Sequence, residues 1–136
     1  MAHDGTIYAS TPGFTLGTYE HEITGTDLTG KYFKKKVLVN ESEILTKIVL
    51  EGRGNINDAG LYINHTRYML VKYDKDNKLA WLRKDLGGAC AISTHTLIIY
   101  AAYSRYLDMS NGKEQNAYIT NEVVEKVAYL LISHGF

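Results

Sequence analysis

Gly60-Leu61-Tyr62-Ile63-Asn64-His65-Thr66-Arg67-Tyr68-Met69-Leu70-Val71-Lys72-Tyr73 leads through a polar turn into Leu79-Ala80-Trp81-Leu82-Arg83-Lys84-Asp85-Leu86-Gly87-Gly88-Ala89-Cys90-Ala91-Ile92-Ser93. The run closes with Thr94-His95-Thr96-Leu97-Ile98-Ile99-Tyr100-Ala101-Ala102-Tyr103. Short stretches of β-branched, aromatic and aliphatic residues alternate here with turn residues. This pattern predicts strands over Leu61–Ile63, Arg67–Tyr73, Leu79–Arg83, Ala89–Ser93 and Thr96–Tyr100. The turns fall at Asn64-His65, Asp74 to Asn77, Gly87-Gly88 and Thr94-His95. Links this short join only antiparallel neighbours, so the stretch reads as a meander.

Helices flank it. Asn40 followed three residues later by Glu43 makes a capping-box start, with Val39 and Ile44 as a hydrophobic staple. Ile44, Leu45, Ile48 and Val49 then share one face, and Gly52 supplies a left-handed stop. After the meander, Thr120 is the expected cap of a second helix. Val123, Val124, Val127, Ala128, Leu130 and Leu131 form its apolar face, wide enough to cover a sheet. Thr6 to Ser10 suits a first short strand, ended by Pro12-Gly13. Thr15 to Lys36 has little periodicity and three glycines, which reads as a long exposed loop able to hold a local hairpin. Helix, meander and terminal helix predict an α+β domain with the last helix packed on the sheet.

The 136 residues fit one domain, 1–136, with a core that needs no disulfide. Fifteen basic and fifteen acidic residues cancel, so no whole-molecule field favours nucleic acid or a membrane, and a charged partner must meet a local patch. Cys90 is the only cysteine, which fits a reducing, cytosolic setting, as does an N-terminus without the layout of a secretory signal. Asn40-Glu41-Ser42 and Asn64-His65-Thr66 match the glycosylation pattern, which matters only in a secreted chain. The five histidines are scattered, with no zinc-protease pair, nucleophile elbow or phosphate loop. Asp74-Lys75-Asp76-Asn77 lacks the glycine and closing glutamate of a calcium loop, and Cys90 reads as a buried strand thiol. A non-enzymatic binding protein without cofactor or metal is expected.

The meander resembles that of the profilins, small actin-monomer binders. His3-Asp4-Gly5-Thr6-Ile7-Tyr8-Ala9-Ser10 is similar to the family's early Asp-Gly-x-x-Trp-Ala strand, with Tyr8 in the tryptophan's place. Glu43-Ile44 and Gly60-Leu61 match the family's helix and strand openings, and Val123-Val124-Glu125-Lys126-Val127-Ala128-Tyr129-Leu130 resembles its closing Val-Val-Glu-x-Leu-x-x-Tyr-Leu. All fall in the family's order, and only Thr15 to Lys36 and Arg105 to Asn116 stay unmatched, as inserted surface loops.

The resemblance implies a profilin-like fold and reversible binding of monomeric actin or an actin-like protein by a monomer. It assigns the actin face to Arg67, Met69, Lys72, Arg83, Lys84, Ser93, Asn121 and Glu125. Strand alternation cannot aim all of these one way, and Lys72 would need a bulge to join Arg67 and Met69. Without the resemblance, Arg67, Lys72, Arg83 and Lys84 read as a solvated sheet face. The family's N-terminal aromatic helix has no counterpart before Asp4-Gly5, which leaves Tyr8, Tyr129 and Phe136 as a residual proline-rich groove with weak or no binding. Lys31, Lys34, Lys35 and Lys36, beside Tyr32 and Phe33, are a candidate for phosphoinositide headgroups, with a solvated loop as the alternative. A longin- or roadblock-type scaffold, dimerising or holding a GTPase, is the rival from another class.

Overall fold

A computed structural model describes residues 1–54, 60–104 and 116–136. Among them a two-stranded hairpin, β1 (Thr18–Thr26) and β2 (Tyr32–Asn40), runs straight into helix α1 (Glu41–Glu51). There follow β3 (Leu61–Ile63), β4 (Thr66–Asp74), β5 (Leu79–Lys84), β6 (Gly87–Ser93), β7 (Ile98–Ser104) and helix α2 (Ala117–Ser133). Strands β3 to β7 pair in sequence order as one antiparallel sheet. The expected meander is therefore present, strand for strand.

Its two faces carry different helices. On one, Leu61, Tyr68, Leu82, Ala89 and Ala91 pack with Ile44, Leu45, Ile48 and Val49 of α1. On the other, Leu79, Cys90 and Ile92 meet Val124 and Ala128 of α2, with Trp81, Ile99 and Ala101 at the margin. Successive residues of β5 and β6 thus feed opposite cores, as the period of two requires.

Helix α1 starts and stops as its sequence predicts. Asn40 Oδ1 accepts from the Glu43 amide (3.2 Å), and the Glu43 carboxylate is engaged by Lys47 Nζ at 2.7 Å. Gly52 caps the end at φ 67°, its N–H donating to the Ile48 carbonyl (2.9 Å). The Tyr73 ring lies where a Cβ of residue 52 would stand, and its hydroxyl donates to the Val49 carbonyl at 2.7 Å.

Several expectations give way. Thr6–Ser10 is not a strand. Ala2 bridges Leu97 instead, and the Asp4-Gly5 turn that follows is closed by Ala2 N donating to the Thr6 carbonyl (2.8 Å). The Thr15–Lys36 loop contains an extended hairpin, paired from Thr18↔Asn40 to Thr26↔Tyr32. Its turn is organised by Asp27 Oδ1, which accepts from Thr29 Oγ1 (2.6 Å) and from the Thr29 and Lys31 amides (both 2.9 Å). The β5–β6 turn is Asp85-Leu86, with Leu86 at φ 56°, whereas Gly87-Gly88 belongs to β6. Side chains there would collide with the Tyr103 and Leu82 carbonyls, so the glycines serve close strand packing.

Helix α2 is capped by Asn116, whose Oδ1 accepts from the Ile119 amide at 2.9 Å, and Thr120 lies inside the first turn. Its contact stripe is narrower than the sequence implied. Val124 and Ala128 are buried and Leu131 half-buried, but Val123, Val127 and Leu130 are exposed, because α2 lies along β6 and the edge strand β7 alone. The second expected loop, from Arg105, lies outside the described residues as far as Gln115.

A candidate partner-binding face

Beside α2, the sheet face formed by β4 and β5 has no helix over it among the described elements. Arg67 and Met69 point the same way from β4, and Met69 stands opposite Arg83 in the register. The pairing then slips between Leu70 and Lys72, so Val71 is the extra residue of a β-bulge. The slip sets Lys72 opposite Trp81, with its ammonium 4.8 Å from the ring centroid. A bulge is what Lys72 required to join Arg67 and Met69. Met69 and Val71 are 70% and 63% exposed, an apolar centre among three cations.

Helix α2 closes one side. At about 100° of rotation per residue, Asn121 and Glu125 lie on its flank toward β5, away from Val127 and Leu131. Glu125 stands close enough to Cys90, the neighbour of Trp81 across β5–β6, to add to the effect of burial, which pushes that thiol up to about 11. A buried thiol held protonated in this way is no nucleophile at neutral pH. Asn121 Oδ1 is buried with no hydrogen-bond partner among the described residues.

Two residues expected here do not join the others. Lys84 lies on the opposite face, 5.8 Å from the Tyr68 ring. Ser93 is buried, donating to the Thr94 carbonyl (2.8 Å) and sitting 3.0 Å from His3 Nε2. Alternation puts Lys84 on the opposite side of β5 from Arg83, and Ser93 on the opposite side of β6 from Ile92, which is buried under α2.

On the other flank of α2, Val127 and Leu131 line an open trough of ≈ 810 Å³ with Tyr8, Phe14, Ile99 and Ala101. Tyr129 is about 200° round the helix from both Val127 and Leu131. Tyr8 and Tyr129, 72% and 77% exposed, therefore sit on different sides of α2 and form no common wall. Phe136 sits at the β6–β7 turn, its carbonyl accepting from Thr96 N and Oγ1 (3.2 and 3.1 Å). Among the lysines, Lys34 and Lys36 occupy the outer face of β2, Lys36 lying 3.9 Å from Glu20, while Lys35 is on the inner face and Lys31 closes the turn.

A family model described as Profilin matches residues 1–136. A relative, the profilin of Tetrahymena pyriformis, is 33% identical over 135 residues, which span 98% of this chain and 83% of the relative. The chain belongs to the profilin family. That membership accords with the five-stranded antiparallel sheet between two helices and makes this profilin a member of a family of actin-binding regulators. No described helix is long and apolar enough to cross a membrane, and no group of metal-ligating side chains occurs among the described residues.

One residue that organises the molecule was missed. Glu41 is fully buried, and its carboxylate accepts from Gly17 N (2.8 Å), Tyr19 Oη (2.9 Å) and His65 N (2.8 Å). It ties the base of the hairpin and the β3–β4 turn to the start of α1. In sequence it is one acidic residue in a first helical turn, where glutamate is common for dipole reasons alone, so no signal distinguishes it.

Proposed function

We propose that this profilin binds monomeric actin, or the actin-like protein of its own cell, reversibly, and thereby limits how much of it assembles. The contact surface is Arg67, Met69, Lys72 and Arg83 with Asn121 and Glu125. The observation that carries the reading is the uncovered β4–β5 face, on which two exposed apolar side chains are ringed by cations in a chain of zero net charge. An apolar centre excludes water while an arginine fork takes a partner carboxylate, which is how interface anchors work. Lys84 and Ser93 are left out of the surface because they face elsewhere. No covalent chemistry is involved, the protein acts as a monomer, and its place of action is the cytoplasm.

The lysines of β2 are split between two faces, which weakens the case for one phosphoinositide headgroup site. The test is assembly of pyrene-labelled actin. Added protein lengthens the lag and lowers the monomer available, without severing preformed filaments. No effect on the actin of its own cell overturns the proposal.

A further inference from the structure

The trough beside α2, of ≈ 810 Å³, runs along the outer edge of β7, and the actin-binding reading does not use it. Ile98, Tyr100 and Ala102 line it together with Phe14, Lys84 and Val127. We propose that this edge is a second binding site, for an extended peptide segment that joins the sheet as an antiparallel strand beside β7, apolar at alternate positions and acidic near Lys84.

The pairing of β7 leaves the edge open. Strand β7 is the last of the sheet, with β6 on one side of it. The Ile98 amide donates to the Met1 carbonyl (2.6 Å) and the Ile98 carbonyl accepts from Met1 N (2.8 Å), so Ile98 turns its backbone groups outward. By the alternation of an antiparallel ladder, Tyr100 and Ala102 do the same. Their N–H and carbonyl groups on that side have no partner among the described residues. Ala2 opposite Leu97 and Met1 opposite Ile98 already hold one end of this edge in antiparallel pairing, and the open positions lie next along β7. Sheets commonly guard a free edge with a lysine, a proline or a bulge. The run Ile98-Ile99-Tyr100-Ala101-Ala102-Tyr103-Ser104 carries no charge and no proline, and it pairs with β6 without a slip in register. Such an edge is a template for another strand.

The walls and one charge then select the occupant. On the α1 side of the sheet, the Phe14 ring stands 5.5 Å from that of Tyr100, whose hydroxyl donates to Tyr68 Oη at 2.8 Å. These rings are held before any ligand arrives, which lowers the entropic cost of binding. On the α2 side, Val127 and Leu131 line the trough with Ile99 and Ala101. An added strand sends alternate side chains to the two sides, so apolar residues meet α2 while those between them point toward Tyr68 and Lys84. Lys84 has its ammonium 5.8 Å from the Tyr68 ring and no ion-pair partner among the described residues. A carboxylate on the incoming strand supplies that partner.

The probe is acetyl-Thr-Glu-Val-Thr-Val-amide, titrated into the full chain by NMR. With its Glu opposite Ala102 and its second Thr opposite Tyr100, the N–H groups of that Glu and Thr donate to β7. We expect saturable downfield shifts and slowed exchange of the Tyr100 and Ala102 amides. N-methylation of the second Thr removes one donor and should weaken binding about tenfold. N-methylation of the Val before it, whose N–H points away from β7, should leave binding unchanged. Lys84→Glu, or Lys in place of the peptide's Glu, should each weaken it about tenfold. The urea midpoint reports whether the variant is folded, and the N-methyl pair tests the site on the unaltered protein. Absence of saturable shifts up to millimolar peptide overturns the site. Equal affinity of the two N-methyl peptides overturns strand addition, and equal affinity of the Glu and Lys peptides overturns the role of Lys84. Decaproline, which has no N–H to give, shifting the same amides as strongly would also overturn strand addition. So would protection of the Tyr100 amide in the free protein that is lost on dilution, because a second copy would then hold the edge. None of these outcomes depends on whether actin binds.

Discussion

At Glu41 a single buried carboxylate satisfies two backbone amides and the Tyr19 hydroxyl, and no described cation takes part. Burial, together with that hydrogen bond, raises Tyr19 well above the usual phenol range and keeps it a donor. Glu41→Gln replaces one acceptor oxygen by an NH₂ that faces donors. We expect a loss of about 2 kcal/mol of unfolding free energy, read by urea denaturation, and loss of the slow exchange of the Gly17 and His65 amides. Arg83 is the complementary case, an exposed side chain on the proposed actin-contact face. Arg83→Glu should leave stability unchanged within about 0.5 kcal/mol. It should weaken actin binding by about 2 kcal/mol, roughly thirtyfold. Wild-type affinity in the folded variant would show that this end of β5 only faces solvent.

Among the elements, α1 is the one whose sequence states both ends. Asn40 and Gly52 act where local chemistry predicts, and Gly52 is further fixed by the Tyr73 ring against it. Gly52→Ala meets both a left-handed backbone and that ring, so we expect a cost above about 1 kcal/mol, measured as a lower denaturation midpoint. The hairpin was harder to read. Its inner positions alternate, but Glu20, Glu22 and three successive lysines make the stretch look like solvated loop, and the cross-strand pairing, from Thr26↔Tyr32 out to Thr18↔Asn40, is not visible to local periodicity. Its turn nevertheless depends on a local device, Asp27. The Thr29 hydroxyl, then the Lys31 amide, hold this carboxyl below its usual value of 3.8. A depressed acid stabilises the fold in full above that value, and the stabilisation is lost as pH falls through the lower, folded one. The Thr29 and Lys31 amide signals should hold their native positions from neutral pH down to about 4 and move only in stronger acid. A midpoint at or above 3.8 would contradict the Asp27 turn.

For the whole molecule, zero net charge conceals a basic face on β4–β5 and an apolar trough on the far flank of α2. Tyr8 and Tyr129 on opposite sides of that helix make a poor pair for a proline-rich ligand, which needs several rings acting together. We expect decaproline to bind no tighter than about millimolar, near −4 kcal/mol, followed through tyrosine chemical shifts. Saturation at micromolar peptide would mean the rings converge after all. The meander and the faces of α1 were legible in the sequence because strand and helix periods are local and turn residues punctuate them. The order of motifs likewise identified the family. What only the tertiary structure decided was which side each residue serves. The bulge at Val71 brought Lys72 beside Trp81, alternation turned Lys84 and Ser93 away from the β4–β5 face, and the narrow seat of α2 on β6 and β7 left Val123, Val127 and Leu130 in solvent. Each of these turns on register or on contact between distant segments, and a one-residue shift in register reverses the facing of every side chain without changing the strand that a sequence predicts.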